Sequence, residues 1–195
     1  MLDRHIVRNR MNTSKRLRRT ALLSLHCLSN LAYFRAVREG VDIGEVPASD
    51  VNNRIANNFL DVGVLEWCKL FTDRAGKHHW RKVVSANEDD RTAWRDALVV
   101  HLGLTLLAFE DYIRAMKTYR DRFVAHLDDD EVMEIPDLDL AIRSAQCLYQ
   151  RLVDHEAPLL GNPMPEAPES ATDFYQDRLG KGQAAVAAMR AGYAA

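Results

Sequence analysis

The chain has 195 residues, 47% of them apolar and 28% charged, a length that can bury one sizeable core and a composition unlike that of disordered, collagen-like or membrane-embedded chains. Lys and Arg number 26 against 28 Asp and Glu, for a net charge of −2; the first twenty residues hold seven basic side chains and Asp3, a local +6 that leaves the remainder at −8. That asymmetry excludes a uniformly basic nucleic-acid binder and fits either a solvated N-terminal arm or one that meets nucleic acid or an acidic partner.

In chain order, residues 1–13 read as a basic arm, with Arg16, Arg18 and Arg19 just beyond it as candidate RNA contacts. Leu17, Ala21, Leu25, Leu28, Ala32 and Phe34 recur at helical spacing, predicting a helix over 14–38 with Gly40 as its stop. The apolar run 21–34 contains His26, Ser29 and Asn30, which makes it too short and too polar to span a bilayer. No Ala-x-Ala-like cleavage chemistry follows it, so a cytoplasmic protein without a membrane segment is expected. Cys27, Cys68 and Cys147 have no disulfide-framework or zinc-like spacing, as expected of a reducing compartment.

Glu45-Val46-Pro47 breaks the pattern. Ser49 or Asp50 can then cap a second helix with apolar positions Val51, Ile55, Phe59, Val62, Leu65 and Leu70. A short helix is expected within 78–84, then a turn at Asn87-Glu88-Asp89-Asp90 leading into a helix with Trp94, Leu98 and Val99 on one side, interrupted or weakened by Gly103. Thr105 is an N-cap candidate for the strongest helical signal, Leu106, Phe109, Ile113, Met116, Tyr119 and Phe123, expected to run to His126. Asp128-Asp129-Asp130 and Pro136 read as a turn before a last helix over 138–155. Four prolines between Pro158 and Pro168 suggest a linker, so the bundle is expected to span 14–156 and 157–195 to be a Pro-rich linker and an Ala-rich tail with a helix near 183–191. No strand pattern is present, and the predicted class is all-α.

The strongest helix ends in Tyr119-Arg120-Asp121-Arg122-Phe123-Val124-Ala125-His126. A guanidinium and an imidazole six residues apart lie roughly 120° from each other on a regular helix, so a joint site needs a distortion, a helix end near His126, or a second copy across a two-fold axis. Such a pair suits phosphodiester cleavage: imidazole takes the proton of a ribose 2′-hydroxyl and returns one to the leaving oxygen, while the arginine fork stabilises the phosphoryl charge without a metal. Asp121 can orient Arg120, and Arg122 can add positive potential or face solvent. A surface arginine beside a helix-terminal histidine is the structural alternative.

This string resembles the HEPN superfamily of toxins, abortive-infection systems and CRISPR-associated nucleases, marked by Arg, a polar residue, and His four to six residues beyond the Arg. The likeness is to the abortive-infection-like members, on the Tyr119–Asp128 string together with Trp67-Cys68-Lys69-Leu70-Phe71 and His79-Trp80, and it covers roughly 20–156. The resemblance implies an all-α HEPN-like helical bundle forming a homodimer. Arg120 and His126 of both chains would face one composite cleft, with Asp121 orienting Arg120, and cut RNA without a metal or other cofactor, leaving cyclic phosphate. It also implies a toxin or phage-defence role with an antitoxin or defence-system partner. Members paired with a nucleotidyltransferase antitoxin carry Tyr two residues after the His, where this chain has Asp128.

The remaining candidates have plainer readings. Adjacent His78 and His79 cannot both face one ion from a regular helix, and His101 lies in an apolar segment. His155 and Glu156 suit a helix end. Trp67, Trp80 and Trp94 either anchor the core or stack bases, and the Asp128–Asp130 run lacks the glycine of a calcium loop. Two rival functions remain open: a non-catalytic HEPN scaffold or nucleotide- or protein-binding module, and a basic-armed nucleic-acid binder without hydrolysis.

Overall fold

The helical periodicity of the sequence is realised in a computed structural model that describes residues 4–44, 49–124 and 134–193. Among these residues the chain is an all-α helical bundle with no strand. The breaker Glu45-Val46-Pro47, His126 and the Asp128–Asp130 turn lie outside the described residues.

The bundle is organised along α1 (Arg4–Asp42), a 39-residue helix that packs against the second, fifth and last helices. It begins at Arg4 rather than residue 14, so the expected basic arm is backbone-continuous with the helix. No Gly or Pro precedes Gly40, and Arg and Lys are good helix formers, so nothing in 4–13 stops the helix from propagating. Leu17, Ala21, Leu28, Leu31 and Ala32 are buried. The buried hydroxyls of Thr20 and Ser24 on the same face donate to the carbonyls of Arg16 and Thr20, which satisfies them within the helix.

Gly40 does not stop α1. It lies inside the helix, where a Cβ would stand 2.4 Å from Val186 Cγ1, so its missing side chain permits a close helix crossing. The stop is at Asp42, followed by Gly44 at φ +73°, a conformation that favours glycine.

α2 (Asp50–Phe71) starts where expected, with Ser49 Oγ accepting from the Asn52 amide. Its buried face is Ala56, Leu60, Val64, Trp67, Cys68, Leu70 and Phe71, whereas Val51 and Val62 are 64% and 42% exposed. Of the expected stripe Leu70 is buried and Ile55, Phe59 and Leu65 are half-buried, so the buried face is rotated from it rather than opposite to it. Apolar residues occupy both faces at helical spacing, and the choice is made by Gly63, against which Leu31 packs so closely that a Cβ would meet its Cδ2 at 2.8 Å.

A 3₁₀ turn at Trp80–Lys82 leads to α3 (Glu88–Leu102), capped by Asn87 and ended by Gly103 at φ +73°. α4 (Leu106–Tyr119) is capped by Thr105 and buries Phe109, Tyr112, Met116 and Tyr119. It does not continue as an α-helix towards residue 126 but passes into a π-helical turn, Arg120–Val124. α5 (Leu138–Arg151) is capped by Asp137 and buries Ile142, Ala145, Leu148 and Tyr149. A second π-turn, Leu152–Glu156, leads to the short α6 (Ala157–Leu159).

The bundle does not end at residue 156. The proline-rich segment runs back along α5, its carbonyls at Pro168 and Glu169 accepting from Tyr149 Oη (2.7 Å) and Gln150 Nε2 (2.9 Å). α7 (Ala171–Tyr193) then packs on α1, burying Ala171, Tyr175 and Val186. Gly182 allows this approach, since a Cβ there would lie 2.7 Å from Ala36 Cβ. Composition pointed to a tail because α7 is rich in Ala and contains three glycines, but at this crossing the small residues are the contact.

Candidate active site

The site is built where α4 gives way to the π-turn beside the C-terminal end of α2. Hydrogen bonding over Arg120–Val124 lengthens from the α pattern to i→i+5, a widened turn often found at functional positions. It changes the angle between successive side chains just before His126, whose own position lies outside the described residues.

The Arg120 side chain is only 14% exposed. Its Nη1 donates to Asp73 Oδ1 (2.7 Å) and Thr72 Oγ1 (3.3 Å), and its Nε donates to Asp121 Oδ1 (2.8 Å). Nη2 stands 2.8 Å from the same Asp121 oxygen. Burial opposes the guanidinium charge, but hydrogen bonds from Asp73 and Asp121 outweigh it and hold Arg120 above the ordinary arginine range. Asp121 therefore sits against Arg120 as its candidate orienting role requires, and Thr72 and Asp73 join them.

The Trp67–Phe71 stretch packs against the end of α4 at this point. Cys68 Sγ donates to Met116 O at 3.7 Å; burial pushes the thiol up to about 12, against the smaller opposing pull of Arg120, so it is no ready nucleophile. Trp67 stacks on Phe71 at 4.9 Å, and its Nε1 donates to Ser144 Oγ at 2.9 Å. Trp80 is buried and packs against the half-buried Trp94 at 5.0 Å. All three tryptophans are therefore core residues here.

His79 fixes the segment that follows Asp73. It is 1% exposed; Nδ1 accepts from the Arg81 amide and Nε2 donates to Phe71 O, both at 3.2 Å. Burial first, then the charges of Arg74, Arg81 and Lys82, lower its pKa to about 4. Both ring nitrogens are occupied, so neither is open to a metal. His101 is exposed rather than buried in an apolar segment, and Glu156 is buried and bonded to Arg151 (3.0 Å). Among the described residues, no three His, Cys, Asp or Glu side chains are grouped to hold a metal ion, and no helix is long and apolar enough to cross a membrane.

The other expected RNA contacts are dispersed. Arg122 is exposed on a groove of about 360 Å³ with Thr118, Phe123 and Pro136. Arg18 lines a groove of about 420 Å³ with Tyr149 and the proline-rich segment. Arg16 lines a different cavity, of about 410 Å³, with Arg81, Lys82 and Arg91. Thr72 and Asp73 were missed by sequence reasoning; the signal available was their position directly after the Trp67–Phe71 stretch. No family model matches the chain, and neither the curated proteins nor the solved structures compared with it give a match.

Proposed function

We propose that the protein is a HEPN-type, metal-independent endoribonuclease acting in the cytoplasm in a toxin or phage-defence role, with a composite active site across a homodimer and an antitoxin or defence-system partner. The observation that carries this reading is Arg120, held beside Asp121 in a π-turn and tied to Thr72 and Asp73, which directly follow the Trp67–Phe71 stretch.

In this reading His126 takes the proton of a ribose 2′-hydroxyl, the 2′-oxygen attacks phosphorus, and the 5′-oxygen leaves with a proton returned by the imidazolium. The products are a 2′,3′-cyclic phosphate and a 5′-hydroxyl. Arg120 stabilises the phosphoryl oxygens in the transition state. Asp73, whose side chain is 39% exposed, is the contact that a phosphate displaces, while Asp121 keeps the guanidinium oriented.

A second reading, a non-catalytic HEPN scaffold or nucleotide- or protein-binding module, is favoured by the same hydrogen bonds. Two carboxylates already neutralise Arg120, as in a purely structural ion pair. The test is cleavage of a mixed single-stranded RNA panel in EDTA by wild type, His126→Ala and Arg120→Ala, with product termini and solution mass measured. Nuclease action requires cyclic phosphate ends from a wild-type dimer and loss of cleavage in both folded variants; no cleavage by wild type selects the scaffold.

A further inference from the structure

The cavity that receives Arg16 lies between α1 and the segment following the candidate site. Arg16, Arg81, Lys82 and Arg91 line its walls, and Leu17 and Leu160 are among its apolar lining. Its volume, about 410 Å³, is within the range of small-ligand sites. Glu88 bonds both Arg81 and Arg91, the latter at 2.7 Å, and Arg91 Nη1 donates to Arg81 O at 3.1 Å. These contacts fix two guanidiniums side by side, yet Arg91 Nε is buried with no partner. The carboxylate of the lining, Glu156, is already bonded to Arg151. Arg16 and Lys82 are exposed and make no ion pair among the described residues. Ser85, also in the lining, adopts φ +48°, a conformation costly for a residue with a side chain and often retained at binding sites.

The positive field reaches beyond the cavity. His78 is lowered by burial and then by Arg19, Lys69, Lys77 and Arg16, which places cations of α1 near those of α2 and the following loop. At the other end, Arg74 directly follows Asp73, the partner of Arg120. A recess with an apolar floor and basic walls excludes a flat membrane and suits an unpaired nucleotide, with the base against the floor and the phosphates on the cations.

We propose that this recess is a phosphodiester-binding subsite that holds the backbone of single-stranded RNA and leads it past Arg74 to Arg120; the direction of the path rests on the nuclease reading. Arg18, which lines the groove with the proline-rich segment, lies outside the subsite despite its place in the basic cluster.

The test is fluorescence anisotropy of the full chain with a labelled 2′-O-methyl oligoribonucleotide, which lacks the attacking hydroxyl, over a series of NaCl concentrations. Arg16→Gln and Lys82→Gln are each expected to weaken binding about 3- to 10-fold and to reduce the slope of log K against log salt by about 0.7, with Arg18→Gln unchanged. Thermal melts check folding, and Arg16→Met and Lys82→Met provide second variants that keep the side-chain stem. Unchanged slopes in folded variants overturn the proposal, as does AMP binding as tightly as the oligonucleotide, which would make the recess a mononucleotide site. Cleavage is scored separately: variant-sensitive binding with no cleavage by wild type leaves the subsite standing and removes the nuclease, whereas cleavage with variant-insensitive binding does the reverse.

Discussion

His79 makes the stability of the protein sensitive to mild acid. Its neutral ring bridges Phe71 O and the Arg81 amide, and protonation would remove the acceptor at Nδ1 and place a charge in a buried site among cations. The folded pKa of about 4 lies below the ordinary value of 6.5, so the unfolded chain binds the extra proton between those limits. The contribution is therefore complete above pH 6.5, falls as pH drops, and is exhausted near pH 4. Two and a half pH units at about 1.4 kcal/mol each set a ceiling of about 3.5 kcal/mol, of which about 2 kcal/mol is lost by pH 5.

The assay is urea unfolding at pH 7.5, 6.5, 5.5 and 5.0 for wild type and His79→Gln, whose amide offers a donor and an acceptor but does not titrate. Glu66 and Asp61, both raised by burial, act in the opposite direction, since the folded state binds their protons more readily and gains stability as pH falls. Comparison with the variant removes them, because both proteins carry them. Wild type is expected to lose about 2 kcal/mol more than His79→Gln between pH 7.5 and 5.0. Parallel stability curves would refute the assignment of a neutral, buried His79.

Two further outcomes follow from the packing. Gly182→Ala gains up to about 1 kcal/mol of helix propensity, but its methyl would meet the rigid Ala36 Cβ at 2.7 Å; α1 and α7 must then separate, at a cost of about 1–3 kcal/mol, and Ala36→Gly should restore part of the loss in thermal melts. A gain in melting temperature from Gly182→Ala alone would mean that α7 does not sit closely on α1. Tyr149→Phe removes the bond to Pro168 O and is expected to cost about 1 kcal/mol in urea unfolding and to raise protease cleavage within 160–170. No change in either would mean that the proline-rich segment is held by its apolar contacts.

The caps at Ser49 and Thr105 were the most legible features, because they act through local bonds to amides three residues away. The choice of face was less legible. On α2 two apolar stripes share one period, and the buried one is selected by the closeness of Leu31 to Gly63, a contact between helices. Gly40 misled for the same reason: a glycine suited to ending a helix is also one that lets Val186 approach. At α7, Ala and Gly content suggested a tail, whereas small residues there permit a tight crossing.

The site was half legible, and the physics of the missing half bears on its function. Arg120 and Asp121 are adjacent, so their bond could be expected from the sequence, but Asp73 is 47 residues away and no periodicity relates it to Arg120. Nor does Arg120–Val124 contain the Gly or Pro that would announce a change of winding. The π-turn and the Asp73 bond occur at the same residue, so the guanidinium ties the altered turn to the end of α2. A phosphate that takes the place of Asp73 would loosen this tie while keeping Asp121, and would thereby act on the turn that leads to His126. In this reading substrate binding and the placement of the base are one event. Asp73→Asn, which keeps the shape of the contact but removes its charge, is accordingly expected to lower the concentration of RNA needed for half-maximal cleavage. An unchanged value would separate Arg120 from the phosphate.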